Sequence, residues 1–523
     1  MAFSIWADRL AGLGGIQRMG LALLLGALLA LAQAPVFAWP LLLPCFGGLW
    51  LLTRDSGCGR VYFATVFAFA YGYFVAGLYW IGIAFFVDAE RFALLVPLPV
   101  LGLPLLLALF PAGGAWAARY LGGGAEPWRL VLFAGGWTLG EWLRSVVLTG
   151  FPWNLIGYVW ADQIWMMQLA AWIGSHGLGL VTLLLVALAL LPLVAPGRGR
   201  RAAWLAPVLL VGIMGAGAWR IAATETENMP GIWLRLVQPS VPQSLKWRDD
   251  LRQQHLMQHV ELTRQPGRQP ATHVIWPETA VPYLLDEMPD LLRGLGHLLP
   301  PGGQLFTGAP RREFDARQQP VIYNSILVVN AEGGLDGRYD KIHLVPFGEY
   351  MPFRALLAPF GLDKFAVGGL DFSPGRDAEP MILPGDLPLV RALICYEAIF
   401  PNEVMDHAPP PAGMLLNLTN DAWFGTSSGP YQHFAAHRMR AVEQGVPLVR
   451  SANNGISALV DPLGRVIARL GLNDVGIVEG PLAAPLVERP PYSRTGDLPV
   501  LAVAALLLLA GFLVRKRQGR TPE

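Results

Sequence analysis

The hydrophobic residues of this chain are gathered into blocks, and that distribution limits the folds open to it. From Leu21 to Trp219 long apolar runs follow one another with short loops between them; from Gly231 to about Glu488 the chain reads as a globular stretch; from Leu498 to Val514 one more apolar run appears. A membrane-spanning helix needs about 20 mostly apolar residues. Runs that fit cover Met19–Ala34, Pro40–Leu52, Val61–Val87, Phe92–Ala118, Leu130–Leu148, Ile164–Val194, Ala202–Trp219 and Leu498–Val514, so about eight spans are expected. The second is the weakest, being short and broken by Pro44 and Gly47–Gly48. The first follows Arg9 and Arg18 and ends in Ala32-Gln33-Ala34, like a cleaved leader. Pro35 and the further spans directly after it favour retention. The expected organisation is transmembrane helices over 1–220, a soluble domain over 231–488 and a last transmembrane helix over 498–514. A soluble stretch of roughly 250 residues is large enough to bury its own core.

Loop charges set the expected orientation. Arg9 and Arg18, then Arg54 and Arg60, Arg119 and Arg129, and Arg198, Arg200 and Arg201 fall in alternate loops, and Arg515, Lys516, Arg517 and Arg520 in the tail. The other loops are poor in base, with Arg91 and Arg144 as the main exceptions. Both termini are therefore expected in the cytoplasm and the soluble domain on the far side, the periplasm of a double-membrane bacterium. Glu141 and Arg144 lie near a span end and read as interfacial. No paired charges are evident deep in the spans, as an ion or proton pathway would need. The net charge of +1 and the absence of a basic stripe in the soluble part give no reason to expect a nucleic-acid partner.

Within the soluble domain, Trp233–Val237, His273–Trp276, Gln304–Thr307, Ser325–Asn330, Leu389–Ile394, Met414–Leu418, Leu448–Ser451 and Ser457–Val460 read as strands. Their near-continuous apolar character suggests burial on both faces. Asp249–Thr263 and Gln432–Gln444 have helical polarity, and the whole is an α/β or αββα pattern. Three strand ends carry reactive groups: Trp276-Pro-Glu278, Tyr339-Asp-Lys341 and Ile394-Cys395-Tyr396-Glu397. Each has a plain alternative, a helix-capping Glu278, a solvated Lys341 and a core Cys395. Of the other cysteines, Cys45 lies in an apolar run and Cys58 in a loop, so the soluble domain has no disulfide framework. Taken together, the three groups make chemical sense. A thiol attacks a carbonyl only as thiolate. Glu278 can take that proton and return it to a leaving group. Lys341 and the backbone N–H after Cys395 can hold an oxyanion. No metal cluster and no GxGxxG or Walker motif is visible, so neither a metal nor a cofactor is expected.

The Glu278, Lys341, Cys395 order resembles the nitrilase (carbon–nitrogen hydrolase) superfamily across the soluble domain. Over the entire chain the sequence resembles the apolipoprotein N-acyltransferase family. The residues behind that resemblance are Pro242-Gln-Ser-Leu-Lys-Trp247, His343-Leu-Val-Pro-Phe-Gly-Glu349-Tyr350, Asn420-Asp-Ala-Trp-Phe-Gly425, Gln432-His433-Phe434 and Asn453-Asn454-Gly455. The resemblance implies an acyltransferase that takes the sn-1 chain of a phospholipid, typically phosphatidylethanolamine, onto Cys395. The chain then passes to the α-amine of a diacylated apolipoprotein. Glu278 would be base and acid, Lys341 the oxyanion donor, and Trp247, Glu349, Tyr396 and Glu397 supporting residues. Glu349 could orient Lys341 or the acceptor amine, or be a turn carboxylate; Trp247 could be simple packing. Substrates that stay in the bilayer favour an enzyme held at its surface. The apolar segment Pro352–Gly369 reads as an arm at that interface or as a packed loop. Two other readings are a membrane-tethered amidase with water as acceptor, and a transporter or scaffold carrying a dead enzyme.

Overall fold

The structure is a computed structural model that describes residues 13–56, 59–122, 126–195, 197–357, 371–376, 379–405 and 410–517. Cys58 and residues 358–369 of the apolar arm lie outside the described residues. The chain divides into two compact units: 1–224 with 427–439 and 490–523, and 225–426 with 440–489.

The first unit is helical. Among the described residues six helices are long and apolar enough to cross a membrane: Gly15–Ala32, Arg60–Phe86, Ala93–Gly122, Ala170–Ala189, Arg198–Ala223 and Leu498–Arg517. The other two expected spans are helices that fall short of that standard. Trp39–Thr53 is shorter, and Glu126–Val146 carries Glu126, Arg129, Glu141 and Arg144. A helix satisfies its own backbone polar groups, which lipid cannot do. Helix association in lipid relies on close backbone approach at small residues. A Cβ added to Gly26 would lie 1.8 Å from the Phe69 carbonyl oxygen, and one added to Gly72 would lie 2.1 Å from that of Leu23. Helices Gly15–Leu29 and Arg60–Leu78 therefore touch backbone to backbone.

Glu141 and Arg144, read from the sequence as lying near a span end, are buried in protein. Both are 1% exposed inside this unit, 3.9 Å apart. Glu141 accepts the Ile156 N–H at 3.1 Å; Arg144 donates to the carbonyls of Phe151 and of Trp153, the latter at 2.9 Å. The pair thus brackets the backbone of the loop that follows its own helix. Gln432 belongs to the same unit, and its Oε1 accepts the indole N–H groups of Trp80 at 3.0 Å and Trp153 at 2.8 Å.

The second unit is an αββα sandwich. Its strands are β1 (Asn228–Gln238), β2 (His273–Ile275), β3 (Gln304–Phe314), β4 (Pro320–Asn330), β5 (Leu335–Asp340), β6 (Val390–Ile394), β7 (Met414–Thr419), β8 (Leu448–Ala452), β9 (Ala458–Val460), β10 (Val466–Arg469) and β11 (Gly476–Ala483). One sheet runs β11-β1-β2-β3-β4-β5 and the other β10-β9-β8-β7-β6. Side chains alternate across a strand, and here both faces are apolar. Ile275, Phe306, Ile326 and Val328 face Ile394, Leu416, Leu418 and Val449 in the core between the sheets. Val274, Trp276, Leu305, Leu327 and Val329 share a second core with Leu256 and Val260 of helix Arg252–Arg264 and with Leu292 and Leu295 of helix Pro289–Gly296. All eight expected strands are present. β5, β10 and β11 were not expected: all three are edge strands, and polar residues, Gly476 and Pro481 interrupt their apolar runs.

Gly72→Val is expected to push the two glycine-packed helices apart, at a cost of about 1–3 kcal/mol from overpacking. The purified protein should melt at a lower temperature in detergent, with its catalytic chemistry otherwise intact. An unchanged melting temperature would mean that the contact contributes nothing to the bundle.

Candidate active site

Three strand ends of the second unit build the site. β2 stops at Ile275; the Trp276 N–H still bonds the Phe306 carbonyl at 2.8 Å, and the chain then turns through Pro277 to Glu278. Thr279 takes φ +46°. This turn lies directly on β3: a Cβ on Gly308 would sit 2.2 Å from the Thr279 nitrogen and 2.7 Å from the Glu278 Cα. Lys341 follows β5. The Asp340 before it is held by Arg311 at 2.6 and 3.0 Å and by the Ser325 hydroxyl at 2.6 Å, so the strand end that carries the lysine is pinned. Cys395 follows β6 with φ +51°. A left-handed backbone at a non-glycine residue is costly and is kept only where the surroundings enforce it. It opens the short 3-10 helix Cys395–Ile399.

Glu397 holds this turn in place. Its Oε2 accepts the Ile394 N–H at 2.6 Å. Its Oε1 accepts the Ile342 and His343 N–H groups at 2.8 and 3.0 Å and the Tyr339 hydroxyl at 2.9 Å. One buried carboxylate thus ties the strand before Cys395 to the backbone after Lys341. Behind the cysteine, Asn417 donates to the carbonyls of Leu393 at 3.2 Å and Cys395 at 3.4 Å. Arg450 in turn holds Asn417 at 3.0 Å and Asp421 at 2.6 Å.

The Lys341 ammonium is 1% exposed. It bonds both oxygens of Glu349, at 2.9 and 2.8 Å, and lies 3.8 Å from Glu278 Oε1. Burial works against its charge, but Glu349 and Glu278 outweigh burial and hold its pKa above the usual lysine range. Burial raises the Glu278 carboxyl above its ordinary value, while Lys341 opposes that shift. Burial and the Glu278 charge push the Cys395 thiol up to about 12, with Lys341 pulling the other way. At neutral pH the resting sulfur is therefore a thiol, and an attack by it requires a base at the moment of reaction.

Glu278, Lys341 and Cys395 are thus brought together electrostatically, with Glu349 on Lys341 and Glu397 under the cysteine turn. Tyr396 packs edge-on against His343 and Phe400, at 5.5 and 4.9 Å between ring centres. Trp247 is only partly buried and makes no hydrogen bond or ring contact with these groups among the described residues. Its neighbour does: Lys246 Nζ bonds the Glu278 carbonyl at 2.8 Å. Burial lowers the Lys246 pKa to about 8, against the opposing pull of Glu278 and Cys395. Asn420 and Asn453 explain their place in the sequence pattern. Asn453 bonds Val241 through both backbone groups, at 3.0 and 2.8 Å; Asn420 bonds Gln243 at 2.7 Å, and the two asparagines bond each other at 2.9 Å. They fix the loop that delivers Lys246. The sequence reading missed Lys246 and Asn324, whose amide bonds Glu278 Oε1 at 2.8 Å and Glu349 Oε1 at 3.0 Å. Lys246 stood next to a residue singled out by resemblance; nothing local marked Asn324.

A thiol in an enforced turn with a carboxylate and an ammonium acting on it, on two packed sheets, suits cysteine-dependent acyl transfer. Residues 234–490 match the carbon-nitrogen hydrolase family model, and this class of catalytic domain makes up the second unit. Residues 25–188 match the apolipoprotein N-acyltransferase N-terminal domain. The chain is 40% identical over 520 residues to an apolipoprotein N-acyltransferase of Rhodopseudomonas palustris, with 96% of each chain covered. It is 41% identical over 526 residues to one of Bradyrhizobium diazoefficiens, again with 96% of each covered. Among solved structures, an amidase from Nesterenkonia sp. superposes with a TM-score of 0.37 at 20% identity, over 53% of this chain and 97% of that one. The chain belongs to the apolipoprotein N-acyltransferase family, and it is an acyltransferase of the membrane rather than an amidase.

Lys341→Arg is expected to fail although it keeps the charge. The ammonium sits between Glu349 and Glu278 as a compact donor, and a planar guanidinium cannot place a hydrogen at the same point. Loss of about 100-fold in the initial rate of acyl transfer is expected, the scale of losing one oxyanion donor. A rate within a few-fold of the parent would reduce Lys341 to a source of positive field.

Proposed function

We propose that this protein moves the sn-1 acyl chain of a phospholipid, phosphatidylethanolamine in the first instance, onto Cys395. The chain then passes to the N-terminal α-amine of a diacylglyceryl-cysteine lipoprotein. The catalytic domain, residues 231–488, works on the periplasmic face of the bacterial inner membrane. The observation that carries the reading is the buried Cys395 thiol in its left-handed turn, acted on by Glu278 and Lys341, in a chain with six helices fit to span a bilayer. The name of its curated relatives supports the acceptor.

Glu278 takes the thiol proton as the sulfur attacks the ester carbonyl. Lys341 and the Tyr396 backbone N–H stabilise the oxyanion. The tetrahedral adduct collapses with cleavage of the carbon–oxygen bond, and Glu278 returns its proton to the departing lysophospholipid oxygen. A thioester on Cys395 remains. The acceptor amine then attacks that carbonyl and gives its proton to Glu278; the carbon–sulfur bond breaks, and Glu278 reprotonates the sulfur. Glu349 holds the Lys341 ammonium in place and Glu397 holds the turn. Splitting the transfer lets the first product leave before the second lipid arrives. A water-poor site protects the thioester during the wait.

Protein given phospholipid without acceptor is expected to gain one fatty acyl mass on Cys395, removable by neutral hydroxylamine. A diacylated lipopeptide with a free amine should discharge it as an amide. Intact-mass measurement decides: an unmodified protein, or release of free fatty acid that ignores the lipopeptide, would refute this reading. Placement is tested separately. A reporter fused after Glu523 should behave as cytoplasmic and one inserted near Asp315 as exported; the reverse pattern would overturn the orientation.

A further inference from the structure

We propose that Asn324 is a positioning residue of this reaction, its side-chain amide fixing which oxygen of Glu278 faces the thiol while separating Glu278 from Glu349. The inference rests on the assignment of Glu278 as the base for Cys395.

Asn324 lies on β4, where its carbonyl accepts the Lys341 N–H at 2.9 Å, so sheet register places its side chain among the charged groups that flank the cysteine. It is 2% exposed. Its Nδ2 carries two hydrogens and has two carboxylate partners, Glu278 Oε1 at 2.8 Å and Glu349 Oε1 at 3.0 Å. The orientation of the amide follows from this network. Flipped, it would set its oxygen against two carboxylates. In the orientation found, the buried Oδ1 has no hydrogen-bond partner among the described residues, a cost accepted for two charge-assisted bonds.

Two consequences follow for Glu278. Its Oε1 is occupied by Asn324 and faces Lys341 at 3.8 Å, whereas its Oε2 accepts no hydrogen bond from the described residues. Oε2 is then the atom that takes and returns the Cys395 proton. Second, burial and the neighbouring Glu349 charge raise the Glu278 pKa against the pull of Lys341 and Lys246, and a protonated Glu278 is no base. The neutral amide offers a hydrogen to each, and its bond to Glu278 favours the ionised carboxylate there. The other charged or titratable groups that act on Glu278 are Lys341 and Glu349, which follow β5, Lys246 on the Pro242–Trp247 loop, and Cys395 after β6. Asn324 is the neutral member of the set. Aspartate at this position, nearly the same shape, would replace a double donor with a third negative charge.

The sign of the pH effect is fixed. Hydrogen bonding from Asn324 favours ionised Glu278, so weakening it moves the rise in rate with pH to higher pH. The experiment uses the full chain in phospholipid-containing micelles and reads single-turnover acylation of Cys395 by intact mass from pH 5 to 9. Asn324→Ser keeps one short donor. It is expected to acylate about 10-fold more slowly at neutral pH, with the rising limb displaced upward by about one unit, the size of a hydrogen bond to a charged group. Asn324→Asp should be slower still, by about 100-fold, with a larger displacement. Either variant acylating at the parent rate with an unshifted limb would overturn the proposal. So would an equal loss at every pH with a lowered melting temperature, since that marks a merely structural residue. If Asn324→Asp does not fold, Asn324→Ser decides alone. Glu278→Gln separates the two readings. If Glu278→Gln acylates normally, the assignment of Glu278 as base fails and this inference falls with it. If Glu278→Gln is inactive while the Asn324 variants behave as the parent, only the role of Asn324 fails.

Discussion

Four hydrogen bonds converge on the Glu397 carboxylate, and the geometry around Cys395 depends on them. β5 is an edge of one sheet and β6 an edge of the other. Packed sheets can slide against each other by fractions of an ångström, because dispersion contacts are individually weak and non-directional. A buried carboxylate that accepts N–H groups from Ile394, Ile342 and His343 and the hydroxyl of Tyr339 is directional. The backbone donors it satisfies would be costly to leave unpaired in the interior. The left-handed backbone at Cys395 therefore has a fixed relation to the chain that presents Lys341.

Charge balance follows from this frame. Lys341 is buried yet stays an ammonium because Glu349 and Glu278 compensate it. The thiol is buried, Lys341 offsets burial and the Glu278 charge only in part, and it stays protonated. In the mechanism proposed above, negative charge reaches sulfur only while Glu278 holds the proton. The proposed wait between two lipid substrates would gain from this arrangement, since a permanently ionised thiol would be open to oxidation and other electrophiles. Asn324 and Lys246, one from β4 and one from the Pro242–Trp247 loop, hold Glu278 by its side chain and its carbonyl respectively.

In the helical unit the polar groups serve the backbone. Glu141 and Arg144 bind the chain between Phe151 and Ile156, where it is not helical and its N–H and C=O groups would otherwise be unpaired among apolar side chains. Tyr73 donates to the Asn154 carbonyl at 2.9 Å, and Gln33 donates to Tyr73 and to the Leu155 carbonyl at 2.6 and 3.0 Å. Non-helical backbone inside a membrane bundle is tolerated where protein supplies its partners, and these charged and amide residues supply them. They need not line a path for ions.

The sequence alone determined the division into apolar helices and a two-sided sheet domain, because burial in lipid and burial between layers each leave a pattern in linear order. It also pointed to the strand ends that carry Glu278, Lys341 and Cys395, since a charged residue or thiol directly after an apolar strand is a local signature. β5, β10 and β11 escaped because polar or small residues break their apolar pattern, and hydrogen bonding to a neighbour, which no linear pattern encodes, makes them strands. The burial of Glu141 and Arg144 within the protein escaped for a related reason: their partners are backbone groups of a loop, and only folding brings that loop against them. Tertiary structure chose Lys341 among the partners open to Glu349, put Glu397 between two sheets, and drew Lys246 and Asn324 to Glu278. Asn324 lies 46 residues from Glu278 along the chain and 25 from Glu349. Strand order and register within one sheet, and the loops that leave its strands, bring them to hydrogen-bond distance, and these are properties of pairs of segments that no single segment carries.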